Sequence, residues 1–260
     1  MILNRLSKAI RKQDWFTVVL EFVIVVFGIF VGLQANEWAQ ERQDRKHEQA
    51  ALERLLLESQ NALQLLNENL QGTLRLNQLR RNAVQFVDSN APVPENQLPL
   101  KIGINTLARF PTVVPVSVTY DELRSSGQMQ LIRSAALRDQ VAEFHTDLAR
   151  YNQLLQGFGD GDARFWNAYQ RHVIWDYNPD ATTSDILLST YNWETLRADE
   201  GFIFSIIGLL RNQLVAEHGL VELRDQAVSL CESLGDAIGR TCAPPQAGVE
   251  PGAVQSRGSE

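Results

Sequence analysis

The chain has 260 residues and a formal net charge of −7, because its 31 acidic residues outnumber its 24 basic ones. An acidic chain repels phosphate backbones, and no basic stripe with interleaved aromatic residues occurs, so the sequence argues against a nucleic-acid partner. Two cysteines are too few for a disulfide-built scaffold and match no zinc-site spacing. The length leaves room for one or two domains with a hydrophobic core.

Residues 16–33 form an apolar run of eighteen residues with one charge, that of Glu21, and no proline. A helix rises about 1.5 Å per residue, so the stretch from Trp15 to Trp38 is roughly 34 Å long, and a hydrocarbon core is about 30 Å thick. Tryptophan favours membrane interfaces. We therefore predict a transmembrane helix over residues 15–35, surrounded by the lipid bilayer, with Trp15 and Trp38 at its two interfaces.

A secretory signal peptide is the alternative interpretation, because four basic residues precede the apolar run. The run exceeds the core of about 7 to 15 residues that signal peptides use, and bulky Leu33 stands where a cleavage site needs a small residue. We expect an uncleaved, single-pass anchor. Four Lys and Arg residues before the span, against three soon after it, favour a cytoplasmic leader over residues 1–14 and an extracytoplasmic C-terminal part at an inner membrane.

The segment after the anchor, residues 36–242, is predicted to be a helical stalk followed by a helical domain. Residues 36–49 are polar nearly all round, so the membrane helix should continue into solvent. Leucines then recur at steps of four and three residues around Ser59, which is typical of a coiled coil or of one helix in a bundle. These positions are Leu52, Leu56, Leu63, Leu66 and Leu70. The helical pattern continues past Gly72 to about Asp88.

The next stretch is predicted to be mostly loop with one short helix over residues 102–110, because five prolines fall between residues 92 and 115. Thr119 and Glu122 have the capping-box spacing that opens a helix, and Gly127 is placed to end it. A second short helix is therefore expected between these positions.

Three further helices are predicted from apolar periodicity. Ser134 should open a long helix that ends in the glycine-rich segment over residues 157–161, an aromatic-rich helix should cover residues 163–175, and the last helix should cover residues 202–238. No strand is predicted. The tail, residues 243–260, has no apolar periodicity and is predicted to be disordered. The predicted fold class is all-α, with an extracytoplasmic helical bundle.

The membrane junction follows an order of residues that runs from a glutamate through an apolar stretch with glycine to glutamine, asparagine and tryptophan. Here these are Glu21, Gly28, Gln34, Asn36 and Trp38. This order resembles the opening of a family of uncharacterised bacterial single-pass membrane proteins. The phrase Tyr-Asp-Glu-Leu-Arg-Ser-Ser-Gly at residues 120–127 resembles a middle segment of the same family. The resemblance implies a membrane topology and no chemistry.

Glu21 lies inside the apolar run, where an ionisable side chain is costly and marks a functional hypothesis. Two interpretations stay open. Its carboxylate can extend to the cytoplasmic interface. Alternatively, it belongs to a helix–helix seam, because at about 100° per residue Glu21, Gly28, Gly32 and Ala35 all fall within about 40° of one line. Gly28 and Gly32 have the spacing that lets membrane helices approach closely, which predicts a homo-oligomer or another membrane protein as partner.

Cys231 and Cys242 are eleven residues apart. Cys231 falls beside Leu234 on the apolar face of the last helix, so an inert core thiol is the simpler interpretation. A disulfide would require the chain to double back at Gly235 or Gly239, since a continuous helix holds the two α-carbons about 16 Å apart. Both interpretations stay open.

No pattern of a catalytic, cofactor or metal site is found. The four histidines have no HExxH or i,i+4 partner. Asp160 and Asp162 imitate the start of a calcium loop, but Arg164 and Arg171 stand where ligands are needed. Six aromatic residues are expected to be core rather than pocket: Phe158, Phe165, Trp166, Tyr169, Trp175 and Tyr177. We therefore predict neither an enzyme nor a cofactor.

The sequence predicts a membrane-anchored helical scaffold or protein-interaction module that self-associates. The alternative is an extracytoplasmic ligand-sensing domain that works through a membrane partner, because the short leader holds no output domain. A pocket near Trp166 and Trp175 would favour ligand sensing, and exposed leucines over residues 52–70 would favour protein partners.

Overall fold

The computed structural model describes residues 15–160, 163–175 and 189–243, and about 80% of it is helical with almost no strand. The predicted helical class is therefore confirmed. The chain divides into two units, Met1–Ala51 and Leu52–Glu260. The disordered tail predicted over residues 243–260 falls outside the described residues, except for Ala243 itself.

Helix α1 (Trp15–Val87) carries the apolar run. An 18-residue window of this helix has a mean hydropathy of 2.0, and none of that window is buried in the protein. Among the described residues, this one helix is long and apolar enough to cross a membrane. The long apolar N-terminal helix predicted from the sequence is confirmed.

The part of α1 in the second unit buries the predicted leucine positions. Leu52, Leu56, Leu63, Leu66 and Leu70 are each at most 6% exposed. Gly72 does not interrupt the helix, and a Cβ added there would meet no heavy atom within 4 Å. This glycine therefore weakens α1 only through its own backbone entropy, which costs about 1 kcal/mol relative to alanine.

Helix α2 (Leu98–Thr106) begins and ends four residues earlier than predicted. Pro99 explains the early start, because the first turn of a helix does not need its missing N–H. The helix packs closely on α1, since a Cβ added to Gly103 would overlap the carbonyl oxygen of Leu79 and lie 2.6 Å from the Cβ of Ala83. Glycine is required for this approach.

Helix α3 (Val118–Ser125) has Ser117 as its N-cap residue, so the predicted capping box is wrong. Thr119 lies inside the helix, where its N–H and its hydroxyl both donate to Oε1 of Glu58 on α1 at 2.7 Å. A carboxylate from a distant part of the chain therefore satisfies the amide that the capping box assigned to Glu122.

Gly127 follows α3 with a φ of +70°, in the left-handed region that favours glycine. Its predicted role at the end of this helix is confirmed. A 3₁₀ turn, Gln128–Leu131, comes next.

Helix α4 (Ala135–Asp160) begins where predicted, because the Ser134 hydroxyl accepts the N–H of Leu137 at 3.3 Å. The prediction that the segment over residues 157–161 ends this helix is confirmed, because the helix ends at Asp160.

The helix predicted over residues 163–175 is wrong beyond Tyr169. Helix α5 (Ala163–Tyr169) is followed by strand β1 (Val173–Trp175), which pairs antiparallel with strand β2 (Ser189–Tyr191). Val173 lies opposite Tyr191 in this register. The strands were not predicted because each has three residues, too few for an alternating pattern.

Two helices complete the described chain. Helix α6 (Trp193–Ala198), which was not predicted, is capped by the Asn192 side chain. Helix α7 (Glu200–Ile238) is capped by Asp199, begins two residues before the prediction and ends where predicted, at left-handed Gly239 with a φ of 69°.

Helices α1, α4 and α7 pack side by side in the second unit. They enclose a cavity of about 10 Å³ whose apolar lining includes Leu55, Ala62, Val141, Phe144, Leu230 and Leu234. A second apolar cluster joins the end of α1 to α2, α5, α6, both strands and the start of α7. Phe165 and Tyr169 are buried in this cluster, as predicted, whereas Trp166 is 37% exposed, so its prediction as a core residue is wrong.

Candidate functional site

The predicted membrane seam, Glu21, Gly28, Gly32 and Ala35, lies in one uninterrupted stretch of α1. The helix keeps the angular register that brings these residues to one face. A Cβ added at Gly28 or Gly32 would meet no heavy atom within 4 Å, and the nearby Phe22 side chain is 68% exposed. Within the described part of the chain nothing covers this face. The helix–helix contact itself stays a prediction.

Trp38 follows the apolar run with its side chain 64% exposed, and the guanidinium carbon of Arg42 lies 5.2 Å from its ring centroid. A cation over an aromatic face is attractive, and tryptophan is typical of the boundary between membrane and water. Trp15 is the first residue of α1, and only its backbone is described. The interfacial role of both tryptophans stays a prediction.

Arg80 forms a buried polar cluster that joins three helices of the second unit. The residue is 3% exposed, and its guanidinium donates to Thr106 on α2, to Asn77 on α1 and to Gln213 on α7. Asn77 in turn donates to the carboxylate of Glu217 at 2.7 Å. Burial lowers the pKa of Arg80 to about 10, because desolvation disfavours its charged form. The cluster positions helices and offers no substrate access.

A second polar cluster lies between β1 and α7. Nε2 of His172 lies 2.8 Å from Oδ2 of Asp199, and Nδ1 lies 3.2 Å from the Thr195 hydroxyl. The hydrogen bond with His172 is the main reason that the pKa of Asp199 is lowered, and Arg171 adds to the effect. Hydroxyl, imidazole and carboxylate in a row have the form of a catalytic triad. Here, however, the Thr195 hydroxyl donates to the carbonyl of Asn192, and Asp199 caps α7. Both groups are therefore engaged in local structure.

Two buried tyrosines meet at Asn105 of α2. Oδ1 of Asn105 accepts hydrogen bonds from Tyr169 and Tyr191, and the two hydroxyl oxygens lie 3.1 Å apart. Burial is the main cause that raises the pKa of both hydroxyls, so neither ionises near neutral pH. Among the described residues Nδ2 of Asn105 has no hydrogen-bond partner. The cluster is a polar element of the core.

An open groove of about 270 Å³ lies between α4 and α7. The ring of Tyr151 forms part of its lining and lies 3.0 Å from where Gly219 would carry a Cβ, so a larger residue on α7 would displace it. The rim is charged, with Asp147 bound to Arg150 at 3.0 Å and to Gln226 at 2.9 Å. This groove is a concave surface of the second unit that is open to a small ligand.

Cys231 and Cys242 are joined by a disulfide, with their α-carbons 5.5 Å apart. The chain doubles back at Gly239, and the Arg240 carbonyl approaches Gly235 so closely that an added Cβ would overlap it. Of the two interpretations left open by the sequence, the structure therefore contains the bridge.

The disulfide can be tested directly by labelling free thiols. Mass spectrometry of the alkylated, non-reduced chain should find neither Cys231 nor Cys242 modified, because both sulfurs are in the bond. The same protein alkylated after reduction is the control and should carry two labels. Two labelled cysteines without reduction would contradict the bridge.

The described residues define a helical chain with one apolar N-terminal helix and a second, largely helical unit. Within them, no three His, Cys, Asp or Glu side chains are grouped as metal ligands would be. Comparison with protein-family models, with curated proteins and with solved structures finds no match to the chain. The resemblance noted at the membrane junction therefore stays a prediction, and the function is argued from the chain's own residues.

Proposed function

We propose that the chain is a membrane-anchored helical scaffold or protein-interaction module that self-associates, with its N-terminus in the cytoplasm and a helical bundle outside. The observation that carries this proposal is the uncovered face of α1 with Glu21, Gly28 and Gly32. Small residues allow two membrane helices to approach closely, and a carboxyl group can hydrogen-bond across the contact.

The leucine positions of α1 support assigning self-association to the apolar helix. Leu52, Leu56, Leu63, Leu66 and Leu70 are buried within the second unit, so they are not available to pair with another chain. Leu57, between these positions, is 58% exposed, so one leucine of residues 52–70 is open to a protein partner. The face with Gly28 and Gly32 is uncovered as well, and its small residues allow the closer helix pairing.

The disulfide supports the extracytoplasmic placement. Disulfides persist in oxidising compartments and are rare in a reducing cytoplasm. The bridge between Cys231 and Cys242 therefore fits a C-terminal part that lies outside the cytoplasm, in agreement with the small charge bias around the apolar run.

The proposal predicts that Gly32→Leu weakens self-association roughly tenfold in a membrane two-hybrid assay, because the larger side chain keeps the two backbones apart. Glu21→Gln should weaken it less, since an amide still hydrogen-bonds across the seam.

The matched controls change residues on other faces of the same helix. Phe30→Leu lies roughly 180° from Glu21 around the helix and should be close to neutral, and Ile24→Leu lies roughly 60° away and should have a small effect. If Gly32→Leu associates as strongly as the parent chain, the seam is wrong and Glu21 returns to the interfacial interpretation.

Ligand sensing is the second candidate function, and the groove between α4 and α7 favours it. Tyr151, Leu154 and Leu223 give the groove an apolar lining, and Asp147 and Glu222 place carboxylates on it. Apolar walls with a few polar groups are typical of small-molecule sites.

A further inference from the structure

The segment between α2 and α3 contains a short extended stretch, Thr112–Val116. Along it Val113 and Pro115 are buried, whereas Thr112, Val114 and Val116 are exposed, Val114 by 75% and Val116 by 55%. Burial that alternates residue by residue is the pattern of an extended strand with one face against the protein.

The inner edge of this stretch is paired by a side chain. The amide of Asn152 on α4 accepts the N–H of Val113 at 2.9 Å and donates to its C=O at 2.7 Å. Both backbone groups of one residue point to the same side in an antiparallel pair. Asn152 therefore occupies the place that a neighbouring strand would take.

The outer edge is open. In an extended chain the N–H and C=O groups of Thr112, Val114 and Val116 point away from the Asn152 side, and within the described residues no hydrogen bond uses them. Pro115, which has no N–H, is among the residues whose backbone groups point to the Asn152 side. The outer edge therefore keeps the three N–H donors of Thr112, Val114 and Val116. Natural edge strands are protected by charges, and residues 110–118 contain none.

We propose that this outer edge pairs antiparallel with the same edge of a second copy of the chain, with Val114 opposite Val114 and Thr112 opposite Val116. An open row of donors and acceptors selects an extended backbone as its occupant. A second copy fits because the row is symmetric about Val114, so a two-fold axis lets each of the three residues exchange both of its hydrogen bonds.

The lack of charge along the edge and the shared membrane both favour a second copy of the chain as the partner. No like charges meet across the axis, since the nearest charged residues, Arg109 and Asp121, lie outside the paired stretch. The pairing rests on the proposed self-association, because copies held in one membrane have a raised effective concentration. It assigns a second contact, outside the apolar helix, to the same assembly.

Single cysteines test the register in the full chain in native membranes, with mild oxidation and a non-reducing gel. Val114→Cys should give a disulfide dimer, since α-carbons of a hydrogen-bonded antiparallel pair are about 5.5 Å apart, within disulfide range. Val116→Cys, equally conservative, should give no more dimer than the parent chain, because the two copies of this residue are roughly 14 Å apart. Thr112→Cys and Val116→Cys should crosslink only when co-expressed.

Equal dimer from Val114→Cys and Val116→Cys, or none from Val114→Cys, would overturn the proposal. So would a crosslinked product whose mass is not twice that of the chain, because another protein would then occupy the edge. Repeating Val114→Cys with Gly32→Leu separates the two contacts. If the Val114→Cys dimer persists and Gly32→Leu does not change the two-hybrid signal, the membrane seam alone is rejected. If the dimer is missing and Gly32→Leu lowers the two-hybrid signal, the edge alone is rejected.

Discussion

Replacing Arg80 with methionine is expected to destabilise the second unit by about 3 kcal/mol. The substitution leaves Oδ1 of Asn77 and Oε1 of Gln213 without their donor, and each unpaired acceptor costs about 1 to 3 kcal/mol. Removing the buried charge relieves part of this cost, because desolvation already lowers the pKa of Arg80 to about 10. The net effect of Arg80→Met is therefore a lower free energy of unfolding.

Urea unfolding of the detergent-solubilised chain, followed by tryptophan fluorescence, measures this change. Arg80→Lys is the matched control: it keeps the charge but has fewer donors in a different geometry, so it should lie between the parent and Arg80→Met. Arg81→Met removes an exposed neighbour, 3.9 Å from Glu217, and should be nearly neutral. An Arg80→Met chain as stable as the parent would show that the cluster does not hold the three helices together.

Lowering the pH from about 6.5 to 4 is expected to remove roughly 2 to 3 kcal/mol of stability through His145. Burial lowers the pKa of this imidazole to about 4, and Asp121 opposes the shift. His145 and Glu58 both line the cavity of about 10 Å³ between α1, α4 and α7. The unfolded chain takes up the proton near pH 6.5 and the folded chain only near pH 4, so between these values the unfolded state binds more protons. The contribution of neutral His145 to the free energy of unfolding is complete above pH 6.5 and is lost as the pH falls towards 4.

The control for this prediction is His145→Phe, which keeps an aromatic ring where His145 stacks on Tyr120 at a centroid distance of 3.8 Å. Unfolding free energies of both chains between pH 4 and 7 give a difference curve in which the carboxylates common to both cancel. The parent should lose stability relative to the variant as the pH falls. A flat difference curve would show that His145 titrates alike in the folded and unfolded chains.

Features with a local cause were predictable from the sequence. The apolar run at residues 16–33 defines its helix by composition, Ser134 opens α4 by its hydroxyl, and Gly127 ends α3 by its left-handed backbone. In each case the residues that cause the feature are neighbours in the chain. The main helices follow from such signals.

Features that depend on distant partners were not predictable. The carboxylate that accepts the N–H of Thr119 in α3 belongs to Glu58, 61 residues earlier, and no local pattern connects the two residues. The three-residue strands depend on pairing across the chain and carry no periodicity of their own.

The Arg80 cluster was partly predictable from the sequence. The steps of four and three that place Leu66 and Leu70 in the core continue to Asn77, Arg80 and Val84. Polar residues at positions of an apolar seam are a signal for a buried polar network, and this signal was available in the sequence. Its partners on α2 and α7 were not, because they depend on how the helices pack.

The orientation of the anchor is the most direct test, because the proposed placement of the second unit outside the cytoplasm depends on it. The full chain is fused after Glu260 to an alkaline phosphatase, active only in an oxidising compartment, and in parallel to a fluorescent protein that matures only in the cytoplasm. The account predicts phosphatase activity in the membrane fraction and no fluorescence. Fluorescence without phosphatase activity would place the second unit in the cytoplasm and contradict the account.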